Sequence, residues 1–155
     1  LMTVMGIMAI LMSITLIAVN PARQFKKAND GKRQSDVVEI LNAVNGYMAN
    51  NLGSLPASFP TFVDDTNNNC ISDGVEPPIT AVEIGIGSGK YDLCSALTNF
   101  VPDYVASIPT DPDLPKTSDT CPTTTGYGIY ACKGGRRVTV YSFKADLVPT
   151  IWMMK

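Results

Sequence analysis

Apolar residues fall along this chain in three textures. Residues 1–19 (LMTVMGIMAILMSITLIAV) hold fifteen apolar positions and carry no charge. Farther on, Val37, Ile40, Leu41, Val44, Tyr47, Met48 and Leu52 recur at three- and four-residue steps with Asp, Glu and Asn between them, which is the spacing of an amphipathic helix. Past Gly53, shorter apolar segments alternate with Pro, Gly, Asn and Thr. The pattern predicts a helix of about fifty residues, apolar all round in its first half and one-sided in its second. Pro21 has no backbone N–H and disfavours helix at Asn20, so a kink is predicted there. Asp30-Gly31 is a second expected weak point, since Gly costs roughly 1 kcal/mol relative to Ala inside a helix.

The uncharged stretch is about 28 Å long at ~1.5 Å per residue, close to the hydrocarbon thickness of a bilayer, so 1–19 is predicted to be transmembrane. It lacks the basic start and the small-x-small site of a cleaved signal peptide. Gly6, Ala9, Ser13 and Ala18 permit close helix approach in lipid or in a bundle, and Met2, Met5, Met8 and Met12 supply adaptable apolar surface.

The rest reads as a small head. The Gly, Ser and Pro residues of 52–62 make a connector. Leu93, Leu97, Phe100 and Val101 predict a short helix within 91–104, ended by the prolines that follow. Segments 126–131 and 136–143 are predicted strands joined by a Lys133-Gly134-Gly135 hairpin. Ile151, Trp152, Met153 and Met154 form an apolar ending that packs into the head or meets a neighbouring subunit. The expected organisation is a transmembrane half (1–19), an amphipathic half (20–52) and a globular head (53–155). The fold class is α+β, a long N-terminal α-helix packed against a small antiparallel β-sheet.

Composition narrows the chemistry. The 155 residues include no histidine, which removes Ser-His-Asp and Cys-His catalysis and any zinc site with a His ligand. No nucleophile has an identifiable base, and an enzyme is not expected. Net charge is −2, without the basic footprint of a nucleic-acid binder. The charge is unevenly placed: 20–39 carries five basic and three acidic residues, and 40–155 seven basic and eleven acidic.

Cys70, Cys94, Cys121 and Cys132 all lie in the head, and an even count behind an export-like segment favours disulfides. Of the three possible pairings, Cys121–Cys132 with Cys70–Cys94 closes the shortest loops and is the expected one. A four-thiolate metal site competes with it, but no C-x-x-C spacing supports one.

Two loops suggest ligands. Asp65, Asn67, Asn69, Ile71 (through its carbonyl), Asp73 and Glu76 reproduce the spacing of a twelve-residue calcium loop, with Cys70 where the tight turn wants Gly. A solvated Asn/Asp turn capped by its own side chains is the competing reading. Gly85-Ile-Gly87-Ser-Gly89-Lys90 fits neither the dinucleotide nor the Walker spacing and reads as a turn.

The run 9–44 (AILMSITLIAVNPARQFKKANDGKRQSDVVEILNAV) resembles the N-terminal helix of type IV pilins and the pseudopilins of type II secretion, in the variants with an NPARQ-type junction. More loosely, 97–112 resembles the pseudopilin pattern of a short helix and a proline-bounded loop, and 125–142 the terminal strands. Family members begin with a methylated Phe and carry Glu at the fifth position; lining up the apolar core places that Glu before Leu1, so a few residues are expected to precede this chain.

The resemblance implies a homo-oligomeric helical filament with Leu1, Met5, Met8, Leu11, Met12 and Leu16 in its core. It also implies a prepilin peptidase and pilus assembly machinery as partners, an inner-membrane stage before assembly, and a cell-surface filament afterwards. No cofactor is required, though calcium is open at 65–76. Related pseudopilins sometimes bind calcium in the C-terminal loop, which makes Asp111, Asp113 and Asp119 a second candidate; a Pro-Asp turn is the alternative. A secretion pseudopilin and a monomeric membrane-anchored, calcium-binding module are the competing functions.

Overall fold

The computed structural model describes residues 1–62, 82–132 and 137–155, with the side chains of 15–19 left out of the description. Two helices open the chain, α1 (Met2–Val19) and α2 (Pro21–Asn50). They are divided at Asn20, which sits in the left-handed region at φ 40° and ψ 77°. Its side chain accepts a hydrogen bond from the backbone N–H of Arg23, and Pro21 takes the first helical position, where a missing N–H costs nothing. The predicted kink is therefore a break with a cap of its own. Asp30-Gly31, the other expected weak point, is not one: α2 runs through it without interruption.

The sheet is larger than the sequence suggested. Its strands are β1 (Thr61–Phe62), β2 (Val82–Ile84), β3 (Lys90–Tyr91), β4 (Tyr127–Cys132), β5 (Val138–Ser142) and β6 (Ile151–Met154). The main order is β3-β2-β4-β5-β6, with β1 beside β4. Strands β4 and β5 pair antiparallel as predicted, with Ile129 opposite Val140; the Lys133-Gly134-Gly135 turn expected between them lies outside the described residues. The sheet is mixed rather than antiparallel, however, because β1 runs parallel to β4 and β2 parallel to β3. The connector supplies β1, and the apolar C-terminal residues supply β6.

All six residues of β4 are buried, so the strand lacks the clean alternation of a sheet with one wet face. Gly128 in its middle faces Tyr141. The phenol ring occupies the space a Cβ at 128 would need, which explains a glycine inside a central strand.

One face of α2, formed by Val37, Ile40, Leu41, Val44 and Tyr47, packs on β5 and β6. Ile84, Tyr127, Ile129, Val138 and Val140 complete that core. The predicted short helix is in fact two single turns, α3 (Leu93–Ala96) and α4 (Phe100–Asp103). Asn99 separates them in the left-handed region at φ 57°, and Tyr91 belongs to β3. Asp92 caps α3 by accepting from the backbone N–H groups of Cys94 and Ser95.

Candidate assembly surface

The apolar first helix has no cover within the chain. Leu1, Met5, Met8, Leu11 and Met12, five of the six residues expected in a filament core, are 96%, 68%, 58%, 57% and 70% exposed; Leu16 lies outside the described side chains. Met2, Val4, Ile7, Ile10 and Ile14 are exposed as well, so the uncovered surface runs all round the helix. Among the described residues no helix is long and apolar enough to cross a membrane. The expectation of a membrane span over 1–19 is corrected to that extent.

Below Asn20 the surface changes from apolar to ionic. Arg33 is fully buried and held by four carboxylates. Its Nε donates to Asp111 Oδ2 at 2.7 Å and its Nη2 to Asp111 Oδ1 at 3.2 Å. Nη2 also reaches Asp113 Oδ2 at 2.9 Å, and Nη1 reaches Asp30 Oδ1 at 2.9 Å and Asp146 Oδ2 at 2.7 Å. Asp30 in turn accepts the backbone N–H groups of Asp146 and Leu147, each at 2.8 Å. Lys144 pairs with Asp113, and Asn29 donates to the same carboxylate. One turn farther along α2, Asp36 accepts from the Tyr127 hydroxyl at 2.7 Å and pairs with Lys32.

Helix α2 is thereby tied to two distant loops, 111–113 and 144–147. This explains why Gly31 does not loosen it. It also redefines Asp111 and Asp113, which face a guanidinium rather than an open oxygen site; Asp119 is exposed. Among the described residues no group of three or more acidic or cysteine side chains is arranged to hold a metal. The other calcium candidate, Asp65, Asn67, Asn69, Ile71, Asp73 and Glu76, lies outside the described residues.

The electrostatics follow from this packing. The hydrogen bond to Asp111 raises the Arg33 pKa further, although burial opposes it. Burial by itself would raise the Asp30 carboxyl, but the two backbone N–H groups and Arg33 outweigh it and hold the group below its ordinary value. Lys144, then Arg33, lower Asp113. Burial, reinforced by the neighbouring Asp36, pushes the Tyr127 hydroxyl well up.

The loop of Asp111 is kept close by Gly126, whose φ is 77° and whose missing Cβ would lie 2.8 Å from that of Asp111. A side chain there meets both an unfavourable backbone and a clash.

The disulfide links Cys94 of α3 to Cys121, with Cα atoms 6.3 Å apart. This overturns the expected Cys121–Cys132 and Cys70–Cys94 pairing. Cys132 ends β4, in register with the returning strand through its N–H to the Arg137 carbonyl, and is itself disulfide-bonded. Cys70 lies outside the described residues. Gly85–Gly89 is a turn as expected, but β2 and β3 frame it and Lys90 belongs to β3. The C-terminal strand both packs inward, through Ile151, and presents Trp152 at 39% exposure.

The sequence reading missed Arg33. Its signal was there: positions 33, 37, 40 and 44 fall on one helical face, which places a cation among core residues. Compared with known families, curated proteins and solved structures, the chain finds no match.

Proposed function

We propose that this protein is the structural subunit of a type IV pilus-like filament, polymerising through its N-terminal helix. The observation that supports this reading is the contrast between the two helices. Helix α2 is fastened to the head by a core and an ion cluster, whereas α1 carries ten large apolar side chains exposed between Leu1 and Ile14.

Burying a side chain of that size contributes about 1.5–3 kcal/mol when complete, so partial burial of ten is on the order of 10–20 kcal/mol per copy. The entropy lost on association is roughly 4–15 kcal/mol. Contact between α1 helices of several copies can thus offset its own cost in water. Before assembly the same surface is held in the inner membrane, and after assembly the heads form the outer wall of the filament on the cell surface. The break at Asn20 lets each α1 take the direction its neighbours require without disturbing the head.

Negative-stain microscopy of material sheared from the source cells, with mass spectrometry of the same fraction, tests the reading. Filaments with this chain as their dominant component support it. A short periplasmic assembly without surface filaments favours a secretion pseudopilin, and a detergent-soluble monomer favours an anchored module.

A further inference from the structure

Two recesses flank α2 on opposite sides of its solvent-facing ridge. The first, of about 790 Å³, runs from Asn20 down the helix and is closed on the other side by Leu147, Val148 and Trp152. Its helical wall carries Arg23, Lys27 and Asp30, and the Asp30 carboxylate is engaged by Arg33, so the two exposed cations set its sign. The second, of about 540 Å³, lies lower on α2 against α4, and its charged groups are Glu39 and Asp103. Arg23, Lys27, Glu39 and Asp103 are exposed, and among the described residues no ion pair engages any of them. Within one copy the two sets cannot meet: Lys27 and Glu39 lie roughly 18 Å apart along the helix axis at ~1.5 Å per residue.

We propose that these recesses are the two halves of a contact between copies of this chain, the basic recess of one subunit receiving the acidic flank of the next. The inference rests on the filament reading and adds the surface by which the heads set their register. Three features of the molecule argue for a second copy as the occupant. The recesses are opposite in charge, and each has neutral or apolar walls on which the partner helix ridge can lie. A contact joining two different patches is heterologous, and with an axial displacement between neighbours it repeats into an open helical array rather than a closed ring. The basic recess also begins at Asn20, the residue at which α1 gives way to α2.

Complementary rim charges select partner and register more than they add affinity. A neighbour displaced by roughly 18–24 Å along the axis, the span from Arg23 or Lys27 to Glu39 at ~1.5 Å per residue, brings the charges together.

Carbodiimide coupling of the full-length protein, in intact cells and in sheared filaments, followed by mass spectrometry, reads this contact directly. The reagent joins an amine to a carboxylate only where they touch, so a Lys27–Glu39 linked peptide has to come from two copies. The account predicts that link. It also predicts that the Arg23→Glu/Lys27→Glu variant loses the link and at least tenfold of its sheared filament mass. Adding Glu39→Lys and Asp103→Lys to that variant restores filament mass to within about twofold.

An unchanged thermal midpoint of each variant shows that the head is folded. Filaments without the link, or a fourfold variant that stays unassembled while folded, overturn the proposed contact and leave the filament reading standing. The link found in cells that make no filaments does the reverse.

Discussion

The guanidinium of Arg33 grips the carboxylate of Asp111 through two nitrogens across 78 residues of chain. Three more carboxylates surround the same cation, and together they fix the upper part of α2 to the head. A buried ion pair is not in general more stabilising than packed hydrocarbon, but removing one partner leaves charge stranded.

Arg33→Met should therefore lower the unfolding free energy by about 3–5 kcal/mol, the usual cost of breaking a buried pair. Urea unfolding of the full-length protein in detergent, followed by tyrosine fluorescence, measures it. A loss under about 1 kcal/mol, the scale of an exposed pair, would mean that the cluster does not hold the helix.

Acid should release the same fastening. Asp30 and Asp113 have folded-state values below the unfolded carboxylate value of about 3.9. Groups shifted in this direction contribute stability that is present above the unfolded value and lost as pH falls through the folded one. The thermal midpoint should be flat near neutrality and drop below about pH 4, and Asp30→Asn should shrink that drop while lowering the neutral plateau. At the other end, burial raises Tyr127 and Tyr141 above the ordinary phenol value. Their contribution is complete below about pH 10 and is lost as pH rises beyond it toward the folded values.

Reduction of Cys94–Cys121 should cost about 2–4 kcal/mol, the range for loops of this order, since the bridge spans 27 residues. Unfolding of the Cys94→Ala/Cys121→Ala variant against the oxidised wild type checks this. Equal stabilities would show that α3 and the loop before β4 hold each other without the bond.

Asn20 is the only break between α1 and α2 in the described chain, and it combines a left-handed backbone with a cap. Asn20→Ala removes the cap and strains the backbone, so a loss of about 1–2 kcal/mol is expected. Asn20→Gly, which accepts the conformation, should cost only a few tenths. Helix content by circular dichroism through thermal unfolding compares the two variants.

What the sequence revealed was local. Pro21 announced the break because its effect reaches one residue back, and the repeat from Val37 to Tyr47 announced the core face because helical spacing is periodic. The antiparallel pairing of β4 and β5 was readable from the turn signal between them. Pairings across distance were not. Arg33 and Asp111 carry no mark of each other in the chain, and composition argues that such residues face water. Favouring short loops misassigned the cysteines because Cys94 and Cys121 meet only once α3 folds against the loop that precedes β4. Strands β1 and β3 have two residues each, too few for any alternation to show, and β6 read equally well as a buried tail or a contact surface.

The central claim, that α1 is covered by other copies of itself, is tested most directly by helical reconstruction of sheared filaments by electron cryomicroscopy. The account predicts a central bundle in which Met5, Met8 and Leu11 pack against neighbouring α1 helices, with the heads outside and a change of direction at Asn20. Filaments whose core excludes residues 1–19, or source cells in which this chain occurs only as a detergent-soluble monomer, would contradict it.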